Sequence, residues 1–140
     1  MRLLNYNMST IFVNIPNEEK KNGISLICQR LGIEVRVIGN EHLNICLGDI
    51  IIALSGENRT GKAIKINNNP IESTAKAPAL YNMPELMIFN GFDSPALDGF
   101  LNMYKMTGLP KIPLKAVVTP YNIKWTLYEL IEHLKEESGK

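Results

Sequence analysis

The run Gly56-Glu57-Asn58-Arg59-Thr60-Gly61-Lys62 has the G-x-x-x-x-G-K spacing with which backbone N–H groups and a lysine cradle phosphates. That chemistry also needs a serine or threonine hydroxyl on magnesium at the next position, and Ala63 stands there. Gly56 moreover closes a predicted helix, whereas a phosphate loop follows a strand and opens a helix. The run reads as a loop with no nucleotide. His42 and His133 are isolated from each other and from any nucleophile. His133 stands beside Glu132, Glu136 and Glu137 on a predicted helix and reads as part of a solvated face. The pairs Glu18/Glu19 and Glu136/Glu137 fall in helix termini, where carboxylates form charged surface. Cys28 lies on an apolar stripe and reads as a small buried hydrophobe. Cys28 and Cys46 make no C-x-x-C and have no histidine at zinc-ligand spacing. No catalytic residue, metal set or cofactor is predicted.

One residue set has a functional slant. Asn90-Gly91 and Thr119-Pro120-Tyr121-Asn122 each follow a predicted apolar strand, and in open α/β sheets such strand ends line the ligand crevice. Gly91 would let a ligand approach the backbone, and Asn90 and Asn122 supply donors and acceptors. Asn90, Gly91, Thr119 and Asn122 are therefore the candidate ligand-binding residues, with an anion as the favoured occupant near the start of the last helix. The competing reading is that proline and asparagine build turns there. Trp125-Thr126-Leu127-Tyr128-Glu129-Leu130 is specific for architecture instead. Thr126 as N-cap and Glu129 three residues on make a capping box, and Trp125 can staple onto Leu130.

The elements that position these residues follow from periodicity. Ile11–Asn14 and Leu86–Asn90 are short apolar runs, predicted as buried strands. Asn17 caps a helix whose Ile24, Ile27, Cys28 and Leu31 share one face, and Gly32 ends it. Glu34–Ile38 alternates, as an edge strand does. Leu47, Ile50, Ile51 and Leu54 have helical spacing with Gly56 just beyond, although a strand through Asp49–Leu54 competes. In the second half, Ser94 as N-cap with Pro95 at the first helical position opens a helix, and Leu114–Thr119 is the fourth strand.

These elements repeat. Phe100, Met103 and Tyr104 stand 76 residues after Ile24, Ile27 and Cys28, as Gly108 does after Gly32. Leu127, Leu130, Ile131 and Leu134 stand 80 after Leu47, Ile50, Ile51 and Leu54. The matched order strand–helix–strand–helix points to an internal duplication. We expect a first βαβα half over 9–56, a connecting loop over 57–84 and a second βαβα half over 85–137, all in one domain over 1–140. Ala63–Ile66 is a candidate extra strand within the loop, and Met1–Asn7 a frayed arm.

Composition bounds the partners. The net charge is +1, from 15 basic and 14 acidic residues, without the basic excess of a phosphate-backbone binder. Nucleic acid is not expected. No window approaches a membrane span and no signal-peptide core is present, so the expected location is the cytoplasm.

The stretch ELMIFNGFDSPALDGFLNMYKMTGLPKIPLKAVVTPYNIKWTLYELIEHL resembles a bacterial family, domain of unknown function 3783. The carrying features are Phe89-Asn90-Gly91-Phe92 and LKAVVTPYNIKWTLYEL, above all the T-P-x-N-x-x-W-T run from Thr119 to Thr126. The resemblance implies a bacterial cytoplasmic protein and supplies no activity, ligand or catalytic residue.

Strands alternating with helices predict an α/β fold, with duplicated βαβα units forming a four-stranded, mostly parallel sheet in the order 2-1-3-4. The alternative is a ferredoxin-like α+β sheet in the order 4-1-3-2. For function, the expectation is a non-catalytic binding or regulatory module, with a homodimer through a sheet edge as one partner. The alternative is a small-molecule enzyme or sensor using the strand-end crevice. Lack of a nucleophile–base pair or metal set favours the first.

Overall fold

A computed structural model of the chain describes residues 9–54 and 77–138. The Gly56–Lys62 run, Ala63–Ile66 and the Met1–Asn7 arm lie outside these residues. The chain forms two compact units, Met1–Val37 with Pro84–Val117, and Ile38–Met83 with Val118–Lys140. Each takes one segment from each half of the sequence.

The first unit holds strands β1 (Thr10–Asn14), β2 (Glu34–Val37), β3 (Leu86–Asn90) and β4 (Leu114–Val117) with helices α1 (Glu18–Leu31) and α3 (Ser94–Met106). The sheet order is β2-β1-β3-β4, as expected for the α/β reading and unlike the ferredoxin-like order. Within each half the strands run parallel, Ile11 opposite Val35 and Phe89 opposite Val117. The two halves meet antiparallel through β1 and β3, with Phe12 opposite Ile88. The sheet is thus mixed, with two of its three pairings parallel. TIFVN and LMIFN are buried along four of five positions, so both faces of the central strands exclude water. The outer strands are only partly buried and carry the charged residues.

On one face, Ile11, Val13, Met87 and Phe89 pack with Ile24, Ile27 and Cys28 of α1 and with Phe100 and Tyr104 of α3. The aromatic contacts there are edge-on, Phe89 lying 5.6 Å from Phe100 and 5.3 Å from Phe92. Asn17 caps α1 as expected, its side chain accepting from Lys20 N–H at 2.9 Å. α3 differs by one residue. Asp93, not Ser94, is the cap, accepting from Ala96 N–H at 2.9 Å, and its charge complements the positive end of the helix. Past α1 and α3, Gly32 and Gly108 take φ of 74° and 76°, a conformation that a side chain would strain.

The second unit holds α2 (Leu47–Leu54) and α4 (Leu127–Ser138), each preceded by a short 3-10 turn, Asn40–His42 and Asn122–Lys124. Asp49–Leu54 is therefore helix and not strand. Leu47 N–H donates to Trp125 O at 2.9 Å, and Leu127 N–H donates to Ile45 O at 3.0 Å. These bonds flank a bridge between Cys46 and Thr126. Cys46 and Thr126 are 80 residues apart, and Phe12 and Ile88 are 76 apart. In each unit, then, a residue meets the one that repeats it.

The capping box at the start of α4 is formed. Glu129 N–H donates to Thr126 Oγ1 at 3.1 Å, and Thr126 N–H to Glu129 Oε1 at 3.2 Å. Thr126→Ala should cost about 1 kcal/mol of stability. Urea unfolding of both proteins measures it, and an unchanged midpoint would mean that the cap adds nothing.

Candidate functional site

Asn90 ends β3, opposite Thr10 of β1, and Gly91 follows with φ of 80°. The Gly91 carbonyl accepts from Ser9 Oγ at 3.0 Å, which ties the strand end to the start of β1. A side chain at Gly91 would be strained by that φ, so the glycine is explained by the turn alone. β3 and β4 are parallel, so their C-terminal ends leave the sheet on the same side. Asn90 and Gly91 belong to the first unit, and Thr119 and Asn122 to the second.

Thr119 and Asn122 bond each other reciprocally. Thr119 N–H donates to Asn122 Oδ1 at 2.9 Å, and Asn122 N–H donates to Thr119 Oγ1 at 3.0 Å. Thr119 O also accepts from Ile123 N–H at 3.0 Å. Asn122 is buried. This is a capped turn, and it spends polar groups on the local backbone. The first half does the same with other residue types. Gly39 N–H donates to His42 Nδ1 at 3.1 Å, and Gly39 and His42 stand 80 residues before Thr119 and Asn122. His42, isolated in the sequence, thus serves as a turn acceptor.

Sequence reasoning missed the groups around α4. Trp125 stacks on His133, centroids 4.2 Å apart and planes 13° from parallel. The ring paired with Trp125 is thus an imidazole eight residues on, so His133 is exposed yet has a partner. Tyr81 O–H donates to Glu132 Oε2 at 2.8 Å, and Lys135 Nζ donates to the Tyr81 oxygen at 3.2 Å. The Tyr81 ring also meets Tyr128 edge-on at 5.1 Å. Burial first, and then the Glu132 carboxylate, push the Tyr81 hydroxyl above its usual range. The hydrogen bond from Tyr81 is the main cause that holds the Lys135 ammonium above its own. The spacing of Tyr128, Glu132 and Lys135 puts them on one helix face, which the sequence could show. Tyr81 lies far away in the chain and carries no such signal.

A second polar group is buried in the first unit. Lys20 Nζ donates to Glu85 Oε1 at 2.7 Å and to Lys111 O at 3.3 Å. The lysine comes from the first turn of α1 and the glutamate from the residue before β3. Every group at this pair has a partner, so it reads as a clamp.

The thiols differ in setting. Cys28 is buried in the core, and that burial pushes its thiol up to about 12. It therefore stays protonated, and inert as a nucleophile, at neutral pH. At pH 8 the folded chain should react with a thiol reagent at Cys46 alone, and at both cysteines in denaturant. Rapid native labelling of Cys28, located by peptide mapping, would contradict this. Among the described residues, no group of three or more His, Cys, Asp or Glu side chains could hold a metal ion. No helix among them is long and apolar enough to cross a membrane.

Residues 85–139 match a family model described as Domain of unknown function (DUF3783). No curated protein and no solved structure matches the chain. The matched span holds β3, α3, β4 and α4, with all four candidate ligand residues and the Thr119–Thr126 run. Through that span, the chain is a member of the DUF3783 family.

Proposed function

We propose that this protein is a non-catalytic binding or regulatory module of the bacterial cytoplasm, built by internal duplication. The observation that carries the reading is the reciprocal Thr119–Asn122 pair, whose polar groups hold a turn and not a reacting substrate. The inert thiol of Cys28 supports it. The surface of α4 supports it too, since aromatic and charged side chains side by side are typical of recognition surfaces. Two free cysteines suit a reducing compartment. The common 76- and 80-residue offsets, and the pairing of repeated residues with each other, support the duplication.

A photocrosslinker at exposed Glu136 of α4 should give one discrete protein adduct in cells, while one at exposed Asn102 of α3 gives none. Equal labelling from both positions would count against a defined binding face. The second reading, a small ligand beside Asn90, Gly91, Thr119 and Asn122, is favoured by the parallel β3 and β4 ends. Thermal unfolding against nucleotides, sugar phosphates and carboxylates separates the two. A rise of several degrees that Asn90→Ala abolishes would replace the module reading with this one.

A further inference from the structure

The sheet has two outer strands, and they are not alike. β4 is flanked by Pro113 and Pro120, and it carries Lys115. Charge and proline on an outer strand discourage pairing with another chain. β2 has no flanking proline, and its sequence is Glu34-Val35-Arg36-Val37.

The ladder fixes which groups of β2 point outward. Glu34 N–H donates to Ser9 O at 3.0 Å, so Glu34 and, two residues on, Arg36 turn their backbone towards β1. Val35 and Val37 turn theirs to the open edge. An antiparallel partner centred on Val35 would exchange both backbone bonds at that residue. Glu34 and Arg36 would then form the non-hydrogen-bonded pairs, where side chains approach most closely. If the partner is a second copy, Glu34 faces Arg36 of that copy, and Arg36 faces Glu34. On the other face, Val35 meets Val35, and Val37, 66% exposed in the single chain, meets Ile33. The same register on β4 would set Lys115 against Lys115. Within one chain, Glu34 and Arg36 already form an ion pair on the strand.

We propose that two copies of this chain associate through antiparallel pairing of β2 with β2, centred on Val35 and specified by crossed Glu34–Arg36 pairs. The inference goes beyond the binding-module reading and stands whether or not that reading holds. A four-residue strand buries less than a standard interface, so the dimer is weak and depends on concentration.

Sedimentation equilibrium of the full chain tests it. The wild type should dimerise by about 0.5 mM, since small interfaces are weak. A Glu34→Arg copy carries two positive charges on β2 and an Arg36→Glu copy two negative ones. Each alone should associate at least about tenfold more weakly than the wild type. Mixed in equal amounts, they should associate with each other at least as tightly as the wild type does with itself. Where circular dichroism shows that a reversal does not fold, Val37→Lys at its exposed position takes its place and must weaken the dimer. A wild type that stays monomeric overturns the proposal. So does a dimer indifferent to these substitutions, or a mixture of folded variants that does not associate.

Discussion

Phe100→Ala is expected to lower the unfolding free energy by about 4 kcal/mol, the largest effect of any single substitution considered for this protein. Phe100 is fully buried and meets Phe89 edge-on at 5.6 Å, so truncation removes both buried area and an aromatic contact. It sits on α3 between residues contributed by α1 and the central strands, and collapse onto the void would have to move several elements at once. For a chain of this length the loss is a large share of the total stability, and the thermal midpoint should fall by more than about 10 °C. Urea and thermal unfolding followed by circular dichroism read both quantities. Asn102→Ala, exposed on the same helix, serves as control and should stay within about 0.5 kcal/mol of the wild type. A loss below about 1.5 kcal/mol for Phe100→Ala would mean that this core is loosely packed.

Glu85→Ala should cost about 3 kcal/mol, because it strands the Lys20 ammonium with only the Lys111 carbonyl as a partner. The side chains of Lys20 and Glu85 are only 10% and 18% exposed, so water replaces little of the lost interaction. The penalty comes from an uncompensated buried charge, not from the worth of the pair. Replacing both partners, Lys20→Met with Glu85→Leu, removes two desolvated charges together and should restore most of the stability. The four proteins of this cycle, unfolded in urea at one pH, give the coupling directly. Equal losses in the single and double variants would show that the aliphatic stem of Lys20, and not its charge, matters there.

Local structure was legible because each signal lies within a few residues of its effect. The apolar runs of β1 and β3, the Asn17 cap, the left-handed glycines after α1 and α3, and the Thr126–Glu129 box all occur as expected. The cap of α3 was misplaced by one residue, since Ser94 and Asp93 are both good caps and only the backbone shows which is extended. The turn reading of Thr119 and Asn122 could be foreseen from residue type, but not the reciprocity of their bonds.

By itself the sequence determined the elements, their order, and which strands are central, because burial on both faces selects apolar runs and outer strands alternate. It also carried the repeat, as fixed offsets between like positions. Only the tertiary structure decided that the two halves join antiparallel through β1 and β3. A strand buried on both faces has the same composition in either direction, and the long connection between Leu54 and Leu86 permits both. Tertiary structure alone also brought Tyr81 to Glu132 and Lys20 to Glu85, 51 and 65 residues apart. Periodicity reports which face of an element is buried, and the partner that buries it is chosen by the packing of the whole chain.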